Sequence, residues 1–161
     1  MSDAGTGAPL RLCGEHTFQR SFPVADKSLA DIAKDMRHID IAILSTVTSG
    51  GAIAGRPMSN NKDVDYDGDA YFFTDASTGV ATEIEANPQV GLGYQGKHNL
   101  YIAVTGQAEL IREKASFAEH WNSDLDKWFE AGIDTPGLTL IRVKAKALKY
   151  WDGKDHGEVR V

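Results

Sequence analysis

Three short segments of the sequence combine residue types that suit a flat, anionic, aromatic ligand. They cover residues 55–59, 71–78 and 150–153. In the first segment, Arg56 can make a forked, charge-assisted contact to a phosphate or carbonyl group, and Pro57 leaves a gap in backbone pairing that a ring edge could use. In the second, Ser77 and Thr78 open a predicted helix whose free N–H groups attract anions. Aromatic side chains in the second and third segments add planar apolar surface, so the set indicates a phosphate-bearing flat ligand.

Each part of this set also has an ordinary structural explanation. Arg56 would be a surface charge, the pair Phe72 and Phe73 would fill a core strand, and the two hydroxyls would cap a helix. No side chain stands out as a general acid or base. The residues alone therefore leave both interpretations open and predict no catalytic residue.

Other motifs fail on their context. The spacing of Gly91, Gly93 and Gly96 matches a dinucleotide-binding motif, but these glycines lie inside a predicted strand rather than between a strand and a helix. The acidic run that starts at Asp63 resembles the opening of a calcium loop, yet Thr74 stands where the loop needs a glutamate. The five histidines show no zinc-binding spacing, so no metal site is predicted.

Composition limits the class of protein. The chain has 161 residues, of which 42% are apolar and 25% charged, and this balance is typical of a globular domain rather than a disordered or fibrous one. A net charge of −6 disfavours a nucleic-acid partner. The single cysteine, Cys13, excludes an intramolecular disulfide. Without a membrane-length apolar run or a signal-type N-terminus, the sequence predicts a cytoplasmic protein with no membrane partner.

Periodicity predicts three helices, over residues 27–39, 77–87 and 112–132. Six strands are predicted over residues 41–48, 52–59, 70–75, 89–95, 100–111 and 139–152. In the third helix, four apolar side chains form a stripe typical of a core or subunit contact: Phe117, Trp121, Leu125 and Trp128. Because hairpins dominate, we expect a mainly β fold: an antiparallel sheet closed into a small barrel with peripheral helices. Residues 1–24 are predicted to be a partly ordered arm, and residues 25–161 a single domain.

Over residues 28–152 the ordered segments resemble the flavin-binding split β-barrel superfamily of pyridoxamine 5′-phosphate oxidase, and most closely its general stress protein 26-like branch. The resemblance rests on RPMS at 56–59, YFFTDASTGV at 71–80, NLYIAVTGQAELI at 99–111 and LIRVKAKALKYWD at 140–152. It implies a six-stranded, Greek-key antiparallel split barrel. It also implies a homodimer that binds FMN, or FAD, in a groove between the subunits.

The resemblance also implies a set of cofactor-binding positions: Arg56, Pro57, Met58, Ser59, Asn61, Phe73, Thr74, Ser77, Thr78, Val80, Tyr101, Trp128 and Trp151. By position, residues 56–59 would line the ring and phosphate side, and Ser77 and Thr78 would hold the phosphate. Trp128 and Trp151 are candidates for a wall that the partner contributes. Val80 stands where the family usually carries a lysine, so the phosphate would depend on Arg56, hydroxyls and helix N–H groups.

For function, the resemblance implies a flavin-binding protein, with low-specificity flavin-dependent oxidoreductase activity as the leading hypothesis. A non-catalytic flavin carrier or stress-response binding module is the alternative, and a deazaflavin-dependent reductase is a second one. Genuine pyridoxamine 5′-phosphate oxidase activity is not expected. The segment after Trp151, DGKDHGEVRV, lacks the substrate-gripping pattern of those enzymes.

Overall fold

The computed structural model describes residues 27–59 and 66–161. The predicted arm at residues 1–24 and the predicted site residue Asn61 lie outside these ranges. Within them the helices are α1 (Leu29–Met36), α2 (Gly79–Ala86) and α3 (Lys114–His120). The strands are β1 (Ile41–Val47), β2 (Ile53–Ser59), β3 (Asp69–Asp75), β4 (Gln89–Gln95), β5 (Leu100–Ile111), β6 (Leu138–Asp152) and β7 (Asp155–Arg160).

All the described strands join one antiparallel sheet. The order is β2-β1-β4-β5-β6-β3, and β7 pairs with β6 beside this path. The sheet does not close, so β2 and β3 are its two edges and each has one side that no other described strand pairs with. The predicted antiparallel split barrel with peripheral helices is confirmed, whereas the expected closure of the sheet is wrong for the described strands, because β2 and β3 do not pair.

The two longest strands curve the sheet. β5 and β6 pair over most of their length, and their register shifts between Thr105 and Gly106. A Cβ on Gly106 would lie 2.2 Å from the carbonyl oxygen of Lys144. Only glycine allows this close approach, and the bulge bends both strands around the core. Residues of both edges of the sheet line one groove.

Two apolar clusters hold the fold together. The main cluster fills the barrel and takes alternate side chains from β1, β4, β5 and β6, together with Ile32 and Met36 of α1. Helix α1 begins with a capping box, in which Ser28 and Asp31 satisfy each other's backbone N–H groups. A second, smaller cluster, which includes Phe73, Phe117 and Leu125, joins β3 to the segment after α3. This second cluster supports the region where the site lies.

Two predictions about secondary structure are wrong. The helix predicted over residues 112–132 ends at His120, because Trp121 adopts extended backbone and Asn122 then caps a 3₁₀ turn, Ser123–Lys127. The predicted stripe is therefore split: Phe117 and Leu125 are buried, whereas Trp128 is 77% exposed. Strand β7 was not predicted at all, since DHGEVR lacks an apolar alternation; it follows a tight turn at Gly153, whose φ is +62°.

Candidate functional site

A groove of about 470 Å³ lies between the two edges of the sheet. Its lining comes from β2, β3, the first residue of β1 and the segment after α3. The lining residues are Ile41, Pro57, Met58, Ser59, Phe73, Thr74, Asp75, Leu125, Trp128 and Phe129. Strand edges carry backbone N–H and C=O groups that pair with no neighbouring strand. The groove therefore combines apolar side chains with backbone groups suited to the polar edge of a flat ring.

The aromatic wall of the groove is fixed by packing. Phe73 meets the ring of Trp121 edge-on at 5.1 Å and that of Phe117 at 5.9 Å, between ring centroids. Trp121 in turn contacts Phe129 at 6.0 Å. Edge-to-face contacts of this kind stabilise one orientation of the rings. Trp128 makes no such ring contact with another described residue, and it is largely exposed at the mouth of the groove.

The polar end of the groove is a hydrogen-bonded cluster around Asp75. The backbone N–H and the hydroxyl of Ser77 both donate to Asp75 Oδ1, at 2.7 Å and 2.5 Å. The hydroxyl of Thr78 donates to the Asp75 carbonyl oxygen at 2.6 Å, and its N–H donates to the same oxygen at 3.1 Å. Thr74 Oγ1 lies 3.1 Å from Thr78 Oγ1. Because Thr78 has already given its only hydroxyl proton to the carbonyl, Thr74 is the donor of this last bond.

The charge of this cluster is negative. The two hydrogen bonds from Ser77 lower the pKa of the Asp75 carboxyl below its ordinary value, so it is ionised at neutral pH. No cation pairs with Asp75 among the described residues, and none of those that line the groove is Lys, Arg or His. Asp75 was not among the predicted cofactor-binding positions, although it lies within the YFFTD segment.

The Arg56 guanidinium, expected at the ligand phosphate, is paired within the fold in this structure. Arg56 Nη2 lies 2.7 Å from Glu83 Oε2 of α2, and Nη1 donates to Thr46 Oγ1 at 2.6 Å. Thr46 also donates a short hydrogen bond to the Glu83 carboxylate. The donation from Thr46, with a smaller contribution from Arg56, lowers the pKa of Glu83. Arg56 does not line the groove, and its charge is balanced by Glu83.

Only some of the other predicted site residues line the groove. Pro57, Met58, Ser59, Phe73, Thr74 and Trp128 meet in the groove. Ser77 and Thr78 do not line it, but they hydrogen-bond Asp75 and Thr74, which do. Val80 is 5% exposed, and its side chain packs into the barrel core. Sequence reasoning missed Ile41 and Phe129; Ile41 could have been found as an outward position in the alternation of β1.

Tyr101 and Trp151 lie elsewhere, as a cross-strand pair on β5 and β6. They line a shallow, open depression of about 790 Å³ on the outer face of the sheet. Ile41 lines both this depression and the groove, so the two adjoin. The structure therefore separates Trp151 from Trp128, which lies on the groove of its own chain.

The groove fits one part of a flavin better than another. Its apolar walls and free strand edges suit the isoalloxazine ring, and the Ser59 and Thr74 hydroxyls suit the ribityl chain. Among the residues that the structure describes, the end near Asp75 offers no cation to a phosphate group. Elsewhere in residues 27–59 and 66–161, no cluster of three or more His, Cys, Asp or Glu could hold a metal ion. None of the helices there combines the length and apolar character needed to cross a membrane.

The open antiparallel sheet, with a groove between its edge strands, defines a protein of the split-barrel class. A family model described as Pyridoxamine 5′-phosphate oxidase like matches residues 27–161. General stress protein 26 of Bacillus subtilis (strain 168) is 31% identical over 117 residues, which are 70% of this chain and 79% of that protein. The chain belongs to the pyridoxamine 5′-phosphate oxidase-like family, and the predicted resemblance is confirmed.

Solved structures share the fold. The General Stress Protein 26 from Bacillus anthracis str. Sterne superimposes with a TM-score of 0.68 at 24% identity, covering 81% of this chain and 95% of that one. The general stress FMN/FAD binding protein from Xanthomonas citri gives a TM-score of 0.68 at 21% identity, covering 78% and 89%. At these identities the likeness establishes the split-barrel fold.

Proposed function

We propose that this chain binds the isoalloxazine ring of a flavin in the groove and acts as a low-specificity flavin-dependent oxidoreductase. The single observation that carries the proposal is the groove itself, since its apolar walls meet two unpaired strand edges. Family membership and a structural neighbour described as an FMN/FAD binding protein support it. When bound, the flavin supplies the redox chemistry, and the protein supplies position and electrostatics.

In this proposal, each part of the groove has a distinct role. Phe73 provides a fixed wall for the ring, and the exposed Trp128 closes over its other side. The backbone of residues 57–59 faces the polar edge of the ring, where Pro57 contributes a carbonyl group but no N–H donor. Thr74 accepts a hydrogen bond from the ribityl chain.

The lining residues offer little for general acid–base catalysis. Asp75 is the one titratable side chain that lines the groove among the described residues, and its lowered pKa keeps it ionised near neutral pH. A group that is permanently ionised at working pH is a poor proton donor. Protons that accompany flavin reduction would then come from solvent. The same observation favours a second candidate, a flavin carrier without turnover.

Flavin titration tests the binding proposal. We expect a saturable shift in the visible flavin spectrum at one flavin per chain, and thermal stabilisation on saturation. A ligand at 100 times its Kd stabilises the folded state by about 2.7 kcal/mol. Absence of both effects for riboflavin, FMN and FAD at high micromolar concentration contradicts it.

Turnover is tested with the loaded protein. NADH or NADPH should reduce the bound flavin under anaerobic conditions, and an added electron acceptor should reoxidise it repeatedly. Bound flavin that accepts no electrons from either donor identifies the carrier.

We also propose that two copies associate through the outer face of the sheet. Ile41, Ile43, Ile53, Tyr101 and Trp151 are all exposed there. Exposed large apolar side chains that share one face are typical of a protein–protein contact. Light scattering should give twice the 17.5 kDa chain mass. Ile43→Glu should yield a folded monomer, whereas Lys34→Glu on α1 should remain dimeric; a monomeric wild-type protein contradicts the proposal.

A further inference from the structure

The side chains at the end of the groove near Asp75 present hydrogen-bond acceptors rather than donors. The hydroxyl protons of Ser77 and Thr78 point at the carboxylate and the carbonyl of Asp75, and that of Thr74 points at Thr78. What remains at the groove surface is the lone pairs of Thr74 Oγ1 and the carboxylate of Asp75. Ser59 has a hydroxyl with no hydrogen-bond partner in the described residues, but a hydroxyl bonds donors and acceptors equally well.

The same end is negatively charged. Asp75 contributes a full negative charge, and the guanidinium of Arg56 on β2 is paired with Glu83. The free N–H groups in the first turn of α2 belong to residues that do not line the groove. A phosphate monoester is an acceptor with up to two negative charges, so it meets a like charge from Asp75 and no free hydroxyl proton from Thr74 here. A polyol brings hydroxyl donors and no charge.

We propose, building on the flavin site proposed above, that the groove selects a flavin with an uncharged polyhydroxyl tail. Riboflavin is the preferred ligand, and its 5′-phosphate form, FMN, binds more weakly. Thr74 Oγ1 and the Asp75 carboxylate accept hydrogen bonds from the ribityl hydroxyls. Asp75 is the specificity-determining residue, since it repels a tail phosphate.

The test compares riboflavin and FMN on the wild-type protein by calorimetry and by quenching of flavin fluorescence. At low salt, riboflavin should bind tighter than FMN by about 3- to 10-fold, as expected for charge repulsion in a partly solvated site. At 1 M salt the ratio should approach one, because screening removes the repulsion. Equal or tighter binding of FMN at low salt overturns the selectivity. A cationic seat would be revealed by FMN affinity that falls as salt rises.

Asp75→Asn tests the residue. The amide keeps a carbonyl oxygen for the two Ser77 donors but removes the charge, so FMN should bind about 3- to 10-fold tighter while riboflavin changes by less than about threefold. Asp155→Asn, a carboxylate of β7 that does not line the groove, is the matched control and should leave both ligands unchanged. A gap that persists in Asp75→Asn overturns the assignment to this carboxylate.

The two proposals fail in different ways. If neither flavin binds, the proposed function is overturned and the selectivity with it. If FMN binds best, the proposed function stands and the selectivity alone is overturned. The riboflavin and FMN affinities of the wild-type protein at low and high salt distinguish these outcomes even if Asp75→Asn does not fold.

Discussion

Replacing Arg56 with alanine separates a structural role for this arginine from a ligand-binding one. In the structure its guanidinium bridges β2 to α2 through Glu83 at 2.7 Å and hydrogen-bonds Thr46 at 2.6 Å. The side chains of Arg56 and Glu83 are 23% and 17% exposed. Arg56→Ala leaves a partly buried carboxylate with only Thr46 as donor.

The magnitude follows from the loss of a charge-assisted hydrogen bond, which is worth about 1.5–3 kcal/mol. For a chain of 161 residues, that loss should lower Tm by about 3–12 °C. The cleanest measurement is a double-mutant cycle with Glu83→Ala, followed by urea unfolding. We expect a coupling energy of about 1–3 kcal/mol.

The chain carries a matched control for this cycle. Glu85 lies on α2, as Glu83 does, and it pairs with Arg112 at a similar distance, 2.6 Å. The side chains of Arg112 and Glu85 are, however, 54% and 56% exposed. The coupling of this pair should be about 0.2–1 kcal/mol, as for solvent-screened pairs. Riboflavin and FMN affinities should change by less than about threefold in Arg56→Ala. Negligible coupling between Arg56 and Glu83, combined with a large loss of FMN affinity in Arg56→Ala, would refute this reasoning. It would show instead that Arg56 binds the phosphate of FMN.

Three further predictions concern the groove, the bulge and pH. Trp128→Ala should leave the free energy of unfolding in urea unchanged within about 0.5 kcal/mol, because the side chain is exposed. It should weaken riboflavin binding by about 5-fold or more in a quenching titration. An unchanged riboflavin affinity would show that Trp128 is not part of the site. Gly106→Ala should destabilise the fold by about 2 kcal/mol or more in urea unfolding, since its Cβ would strike the Lys144 carbonyl, whereas a neutral effect would show that the bulge relaxes freely. The lowered pKa of Glu83 stabilises the fold above the ordinary carboxyl pKa of 4.5, and this contribution should be lost as the pH falls through the pKa of the folded state. Glu83→Gln should therefore show a smaller acid-induced loss of stability than the wild-type protein. Identical pH profiles of the two proteins would contradict this.

Much of the fold could be predicted from the sequence, because the hairpins alternate apolar and polar residues over short, β-branched segments. The third helix was extended too far, since its apolar stripe continues through Trp121 in helical spacing. Tertiary packing ends the helix earlier, because the ring of Trp121 packs against Phe73 of β3. A 3₁₀ turn follows. Strand β7 forms because it pairs with β6, and the polar residues of β7 do not by themselves predict this pairing.

The site was predicted in part. Pro57, Phe73 and Thr74 meet because β2 and β3 become the two edges of one sheet. Arg56, expected at the phosphate, pairs in this structure with Glu83 of α2 and does not line the groove. Its partner Glu83 could not be identified from sequence, since that depends on how α2 packs across β1.

A crystal structure of the chain with riboflavin tests most directly whether the gap between the edge strands is a flavin site. It should place the isoalloxazine ring between Pro57 and Phe73, with the ribityl chain running toward Thr74 and Asp75. Flavin density at the Tyr101 and Trp151 depression alone, or a groove filled by the chain's own side chains at saturating riboflavin, would contradict the assignment.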